Sequence, residues 1–316
     1  MRTFLALCLL AVASPSPAQD YPNRPIRLIV TVPPGGAADF IARLVGAKVQ
    51  ESIGQTVLVE NRGGAGGTIA ADAVAKAAPD GYTLLQNSIT THGVGPHIYT
   101  RLPYDPVKDF TAVSGLAVLP LVMSINAELP YKSVKDVIEA SKAAPLNFAS
   151  SGSGGAPHMA AELFKSVTGA NLTHVPYKGS GPAVADLVAG RVQIMFDAAP
   201  SLMGNIQAGK LRVLAAASAQ RNPVLPDAPT FAELGWPKID VSLWYGLLAP
   251  AGTPRPVVEK LNREFTGALQ SADVREKLLA RGAQPSPGTP EAFAGFMAQE
   301  MAKWAPVVKQ AGIKVD

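Results

Sequence analysis

Cysteine is nearly absent from this chain: Cys8 is the only one among 316 residues. It lies inside the apolar run 4–13, and the bulky Leu7 precedes it where a lipoprotein signal would have a small residue. We predict that this run is removed with a signal peptide, so that the mature chain has no cysteine at all. That excludes disulfide bonds, thiol catalysis and cysteine-based metal sites from the mature protein.

Charge is also scarce. Only 16% of the residues are charged, the formal net charge is +4 and the sequence pI is about 9.1. No Lys/Arg-rich segment and no basic stripe interleaved with aromatic residues occurs, so nothing indicates a nucleic-acid-binding surface. Because 47% of the residues are hydrophobic, the chain has enough apolar surface to fold, and its length predicts two domains.

Long hydrophobic runs are missing beyond the amino terminus. The run 4–13 follows a short positive start and is too short to span a bilayer, and small residues, Ser16 and Ala18, occupy positions −3 and −1 of a cut before Gln19. This pattern predicts a Sec-type signal peptide over residues 1–18, with cleavage between Ala18 and Gln19. We therefore expect the periplasm as the location, without membrane insertion.

Strand-like segments alternate with segments of helical period, which is typical of α/β domains with largely parallel sheets. The predicted strands are residues 26–32, 56–60, 82–86, 112–118, 121–125, 147–150, 173–175, 192–196, 211–216 and 243–249. We expect helix N-caps at Ser133, Thr253 and Thr289 and a helix end at Gly169. No linker separates two halves, so the predicted domains must be joined by crossing strands, best represented by 121–125 and 243–249.

Catalytic and nucleotide-binding motifs are missing as well. The four histidines, at 92, 97, 158 and 174, lack the spacing of a two-ligand metal site, and neither a P-loop nor a complete dinucleotide fingerprint occurs. Ser153 is the one tempting nucleophile, but Ser151 stands where the G-x-S-x-G elbow has its first glycine, and we interpret Ser153 as a turn residue. We predict a protein that is not an enzyme, with no catalytic residues, metal or cofactor.

Glycine-rich turns are what the chain does have. They follow predicted strands at residues 34–39 and 150–155, and residues 87–91, with Ser88, Thr90 and Thr91, add amide and hydroxyl donors at a third strand end. In open α/β domains, ligands bind outside the carboxyl ends of the strands, where backbone N–H groups and helix N-termini favour an anion. Composition alone is equally consistent with turns that only close a strand–helix unit.

A series of motifs runs in order through nearly all of the predicted mature chain. They are Y-P-x-R-P-I-R-L-I-V from 21, P-G-G-x-x-D-x-x-A-R from 34, V-E-N-R from 59, G-A-G-G from 64, A-P-D-G-Y-T-L from 78, S-S-G-x-G from 150 with His158, V-P-Y-K-G from 175, D-L-x-x-G from 186, F-D from 196, P-x-G-T-P from 250 and K-L-N from 260. Together they resemble the periplasmic solute receptors of tripartite tricarboxylate transporters, also called Bug receptors.

The resemblance implies a clamshell of the type II periplasmic binding protein kind, with lobe 1 at residues 19–122 plus 247–316 and lobe 2 at residues 123–246. It also implies a small carboxylate held in the cleft by backbone N–H groups, hydroxyls and ordered water. The matching positions are Gly35, Gly36, Ala37 and Ala38 in lobe 1 and Ser150, Ser151, Gly152, Gly154, His158, Tyr177, Lys178 and Asp197 in lobe 2. Gly63 and Ala38 depart from the proline and hydroxyl residues usual there, and the lost hydroxyl favours a less polar acid.

The function implied is a monomeric receptor that closes on a small organic acid and delivers it to a membrane permease of the tripartite tricarboxylate transporter type. Two alternatives stay open at this point. One is a subunit that presents its ligand to a membrane sensor kinase. The other is a secreted serine hydrolase that uses Ser153 and one of the histidines.

Overall fold

The computed structural model describes residues 21–315, so the predicted signal peptide lies outside the described residues. The strands are β1 Ile26–Val30, β2 Val57–Asn61, β3 Thr83–Ser88, β4 Phe110–Asn126, β5 Leu146–Ser150, β6 Leu172–Pro176, β7 Ile194–Ala198, β8 Leu211–Ala217, β9 Ser242–Pro250 and β10 Gln284–Pro285. The α-helices are α1 Ala37–Ile53, α2 Thr68–Ala75, α3 Gly95–Ile98, α4 Val134–Ala143, α5 Ala156–Thr168, α6 Ser180–Val188, α7 Ala199–Gln207, α8 Arg255–Gln270, α9 Ala272–Leu279 and α10 Pro290–Ala311. A 3-10 turn, Ala65–Gly67, precedes α2, and a π-helical turn, Ile89–Val94, follows β3.

The long strand β4 organises the sheet. Its first part pairs antiparallel with β9 and β10, and its second part pairs antiparallel with β7 and β8. On one side of β4, strand β9 is followed by β3, β1 and β2, and these three strands are parallel to one another. On the other side, β7, β5 and β6 are parallel to one another. The carboxyl ends of β1, β2 and β3 therefore share one edge, and those of β5, β6 and β7 share another.

The prediction of two separate strands over residues 112–118 and 121–125 is wrong, because both belong to β4. Pro120 does not interrupt β4, because it lies where the strand changes partners. Its pairing with Ser242 is the last one to β9, and pairing with β7 and β8 begins at Leu121. Because proline has no N–H to donate to a neighbouring strand, it is tolerated at the point where β4 changes its partner strands.

The helix caps follow their sequence signals in most places. The Ser133 hydroxyl accepts from Asp136 N–H in a capping box, Thr289 accepts from Ala292 N–H at 3.1 Å, and Gly169 ends α5 with a left-handed φ of 73°. The prediction for Thr253 is wrong: its hydroxyl donates to Pro250 O at 2.8 Å, and the N-cap of α8 is Pro254. Thr253 thus closes the turn after β9 and does not cap the helix.

Helix α10 ties the crossing strand β9 to the rest of the molecule. The buried indoles of Trp244 on β9 and Trp304 on α10 both donate to Glu300 Oε2, at 2.8 and 3.2 Å, and Lys303 contacts Oε1 at 2.9 Å. Because each indole N–H has an acceptor, both large rings are buried without an unpaired donor. In the part of the chain that is described, no helix is long and apolar enough to cross a membrane.

Candidate functional site

Three loops meet where β1, β2 and β3 end; we call them the β1–β3 loops, residues 31–38, 63–67 and 88–91. Gly67 shows how closely they pack, since a Cβ atom there would lie 2.8 Å from both Thr31 Cβ and Thr91 Cγ2. Its φ of 92° also requires glycine. The three strand ends therefore form one continuous surface, as the sheet order demands.

The amino terminus of α1 is open on this surface. Its N-cap, Gly36, is extended and provides no side-chain cap, and Gly35 and Gly36 are both exposed. Asp39 Oδ2 accepts the Gly35 N–H at 3.0 Å, so that donor is already used. The N–H groups of the first helical turn, from Ala37 onward, have no partner within the helix and carry the positive end of its dipole.

Asp39 closes this loop as an ionised carboxylate. Burial opposes its ionisation, but hydrogen bonds from Arg43, Gly35 and Asn61 outweigh that effect and hold the pKa of Asp39 below its ordinary value. The Arg43 Nε atom lies 2.9 Å from Asp39 Oδ1. Asp39 is thus an ionised acid in the first turn of α1, near the positive end of the helix dipole.

The hydroxyl residues after β3 cap the π-helical turn. Ser88 and Thr91 form a reciprocal capping box, both are buried, and Thr91 Oγ1 lies 2.9 Å from His92 Nδ1. Thr90 is only half-buried, and its methyl group lies near Gly66. Of these three predicted site residues, Thr90 presents its side chain most openly.

The second edge carries the β5–β7 loops, residues 150–155, 177–180 and 197–198. Ser150 is fully buried; its hydroxyl donates to Gly152 O at 3.1 Å and lies 2.6 Å from His174 Nε2. The Gly154 N–H donates to His158 Nδ1 at 3.0 Å. The loop 150–155 is therefore hydrogen-bonded to two histidine rings, to His174 through Ser150 and to His158 through Gly154.

The remaining predicted residues of this edge differ in exposure. Tyr177 donates its hydroxyl to Asp186 Oδ2 at 2.7 Å, whereas Lys178 is exposed. Asp197 is 2% exposed, its Oδ1 accepts Ala198 N–H at 2.7 Å, and burial raises its pKa to about 6. A buried carboxyl with a raised pKa is a feature of functional sites as well as of structural networks.

The β5–β7 loops contact helix α3 at Gly154. A Cβ atom on Gly154 would lie 2.5 Å from Ile98 Cδ1, and Ile98 belongs to α3, just beyond the β1–β3 loops. The φ of Gly154 is also left-handed, at 74°. The structure thus brings the β5–β7 loops against the part of the chain that follows β3.

Ser153 does not form a catalytic pair with His158. It lies exposed on the loop, while the Nδ1 atom of His158 is occupied by the Gly154 N–H and its ring is buried. A general base must reach the proton of its nucleophile, and this ring faces the loop backbone.

Sequence reasoning missed His174 and the turn 64–67 as parts of these surfaces. The only signal for the turn is its run of glycines, and four consecutive residues there have positive φ, including Ala65 at 45°. His174 gave no local signal, because its role depends on Ser150 and His158, which are distant in sequence.

An apolar cavity of about 400 Å³ lies elsewhere, between α10 and the π-helical turn. Its walls include His92, Val107, Phe110, Met297 and Met301. A carboxylate needs converging donors, and this lining is almost wholly apolar, so we do not place the ligand there.

Comparison with known proteins identifies the family. The family model described as "Tripartite tricarboxylate transporter family receptor" matches residues 41–313. The chain belongs to this receptor family.

Relatives of the receptor share nearly its whole length. Protein BugT of Bordetella pertussis is 42% identical over 307 residues, which cover 96% of this chain and 94% of that protein. Among solved structures, R. palustris Rpa4515 with adipate has a TM-score of 0.84 at 38% identity, over 93% of this chain and 99% of that one. MatC (Rpa3494) from Rhodopseudomonas palustris with bound malate has a TM-score of 0.80 at 36% identity, over 91% and 100%.

These likenesses confirm the resemblance drawn from the motifs and the predicted α/β fold of a periplasmic binding protein. The receptor's relatives are solute-binding proteins. The individual ligand-binding residues and the boundaries of the two lobes stay predictions.

Proposed function

We propose that this receptor captures a small carboxylate between two lobes, residues 19–122 plus 247–316 and residues 123–246, and delivers it in the periplasm to a permease of the tripartite tricarboxylate transporter type. The observation that carries the proposal is the uncapped amino terminus of α1 at an exposed glycine turn. A 17-residue helix that starts without a side-chain cap offers N–H groups and a positive dipole end to an anion.

Two further observations support the same ligand class. Rpa4515 holds adipate and MatC holds malate, and both share the fold and more than a third of the aligned residues with this chain. The β5–β7 loops face the β1–β3 region at the Gly154–Ile98 contact. An acid bound at α1 that also interacted with the β5–β7 loops would favour the closed form.

The strands β4 and β9 support the division into lobes. Both run through the boundary of the proposed lobes, near residues 122 and 247, and they pair with each other between Phe110 and Pro120 on β4. Two crossing strands permit a hinge motion with small changes of backbone angles. Capture of a permease by the closed receptor, compared with capture of a sensor kinase, tests the partner.

The ligand class is tested by thermal unfolding of protein that was unfolded and refolded to remove bound solute. We expect stabilisation of about 2.7 kcal/mol at a ligand concentration of 100 times the dissociation constant. Mono-, di- and tricarboxylates, including adipate and malate, are compared with their amides. An acid that stabilises while its amide does not supports the proposal, and equal stabilisation by acid and amide contradicts it.

The α1 site is tested by Ala37→Pro. Ala37 is the first residue of α1, where proline is well tolerated, and the extended Gly36 suits a residue before proline. The substitution removes one N–H donor and keeps the helix. We expect affinity for the bound acid to fall by about tenfold to a hundredfold, the value of a hydrogen bond to a charged group.

Ala272→Pro is the matched control, because Ala272 is the first residue of α9 and its N-cap Ser271 is also extended. This variant should bind the acid as the wild type does. If Ala37→Pro binds equally well, the acid does not use the amino terminus of α1.

A further inference from the structure

Two histidine rings stand in parallel beneath the loop 150–155. The ring centroids of His158 on α5 and His174 on β6 are 3.7 Å apart with an angle of 9° between the planes. The Phe148 ring lies beside the pair, with its centroid 4.8 Å from that of His174 and 6.0 Å from that of His158. Each ring contacts the loop through a nitrogen, His174 at the Ser150 hydroxyl and His158 at the Gly154 N–H. The pair is therefore the direct support of this loop.

The hydrogen bonds define which nitrogens carry protons. Because Gly154 N–H donates to His158 Nδ1, that atom must be unprotonated. The Ser150 hydroxyl donates to Gly152 O, so it accepts from a proton on His174 Nε2. The loop as seen thus requires a neutral His158 ring, and burial opposes a charge on the His174 ring. A proton on His158 Nδ1 would face the Gly154 N–H donor and break that bond.

Burial and the contact between the two rings oppose a positive charge on His174. Burial lowers the pKa of His174 to about 4, and the His158 ring against it adds to this. On α5, Glu162 lies 3.7 Å from His158 Nε2, beyond hydrogen-bond distance, and it is engaged by Lys165 at 2.9 Å. The strands β5 and β6 add no other titratable side chain; among the other elements packed against α5, β7 carries Asp197 and α10 carries Glu291, Glu300, Lys303 and Lys309.

We propose that His158 and His174 are proton-sensitive positioning residues for the loop 150–155. When the pair is protonated, this loop does not retain a carboxylate, and when the loop holds a carboxylate, the pair is not protonated. The proposal rests on the proposed function for its ligand. A proton on His158 Nδ1 replaces the acceptor of the Gly154 N–H with a second donor, and the loop then leaves its binding geometry. The receptor accordingly holds its acid at neutral pH and releases it in acid.

The first test needs no ligand. In protein labelled with ¹⁵N-glycine, the Gly154 amide should move with pH between about 6.5 and 4, since it reports directly on its His158 acceptor. In His97→Gln, which removes a half-buried histidine that contacts Met301 O, the same movement should persist. A Gly154 amide without an inflection in this range overturns the proposal.

The second test measures affinity for adipate and for malate from pH 7.5 to 4.5. The double variant His158→Asn/His174→Gln keeps an acceptor for Gly154 and a donor for Ser150 but cannot be protonated. Titration of the acid itself affects the wild type and the double variant equally, so the ratio of their affinities reports only the effect of protonating the histidine pair. We expect the wild type to lose about tenfold more affinity than the double variant, because each pKa unit between free and bound receptor changes affinity tenfold.

The outcomes separate the two proposals. An equal loss in the wild type and the double variant overturns the role of the pair while the receptor function stands. Failure of both acids to bind at pH 7.5 counts against the proposed ligand class, and the Gly154 titration then decides the inference alone. The same titration decides it if the double variant does not fold.

Discussion

Gly154 is the position at which the β5–β7 loops contact α3, and Gly154→Ala perturbs this contact in two ways that can be separated. Alanine at a φ of 74° costs about 1–2 kcal/mol, because its Cβ approaches the following carbonyl oxygen. The new Cβ also lies 2.5 Å from Ile98 Cδ1, the end of a buried side chain that must leave its rotamer at a cost of about 1 kcal/mol. We expect a total loss of about 2–3 kcal/mol of unfolding free energy.

Urea unfolding of four variants, the first being Gly154→Ala itself, measures the backbone cost and the cost of the clash separately. Gly169→Ala is the control for the backbone, since Gly169 has nearly the same φ, 73°, and nothing within 4 Å of its Cβ position. Ile98→Val removes the clashing Cδ1 atom. The double variant Gly154→Ala/Ile98→Val should recover about 1 kcal/mol relative to additivity, as expected for residues in contact.

The reasoning fails if Gly154→Ala and Gly169→Ala destabilise equally and Ile98→Val shows no coupling to Gly154→Ala. That result would mean that Ile98 does not pack against Gly154 in solution. The same variants carry a functional readout, because a wedge at this contact opposes closure and should also weaken binding of the acid.

Substitutions at three further positions test the electrostatics and packing around the site. Asp39→Asn should be less stable than the wild type at pH 7, and the difference should shrink as pH falls below about 4, because a carboxyl with a lowered pKa stabilises only while it is ionised. His92 is buried with its pKa lowered to about 3, so wild-type stability should fall by about 2 kcal/mol more between pH 7 and 5 than that of His92→Phe, which cannot take up a proton; equal slopes in urea unfolding would contradict this. Glu300→Ala leaves two buried indole N–H groups unpaired and should cost about 2–5 kcal/mol, while Glu300→Gln should cost less because it keeps an acceptor, as tryptophan fluorescence during unfolding can show.

Much of the fold could be predicted from local patterns, because each strand and helix of an α/β domain has its own hydrophobic period and each helix has its own cap residues. Ser133, Gly169 and Thr289 mark helix ends by interactions within four residues, and all three behave as predicted. The continuity of β4 through Pro120 could not be read in this way. It depends on which strands flank that proline, and pairing partners are set by tertiary structure.

In the candidate site, too, the local features could be predicted from the sequence and the long-range contacts could not. Positive φ angles at Gly35, Gly152 and Gly154 suit the glycine-rich turns that the sequence marks. Whether an N–H in such a turn is free depends on side chains that arrive from elsewhere. For this reason the support of Gly154 by His158, and of Ser150 by His174, could not be derived from the turn sequence.

These internal bonds narrow the set of donors that an acid can use. The Gly35 N–H is taken by Asp39 and the Gly154 N–H by His158, while the hydroxyls of Ser88 and Thr91 serve the capping box. Ala37 at the start of α1, Thr90 and Ser151 are half-buried and Lys178 is exposed, so these four residues stay accessible. Lys178 is the one lysine or arginine among the predicted ligand-binding residues. An acid bound here is therefore balanced chiefly by a helix dipole and a single lysine, which suits one or two carboxylates better than three.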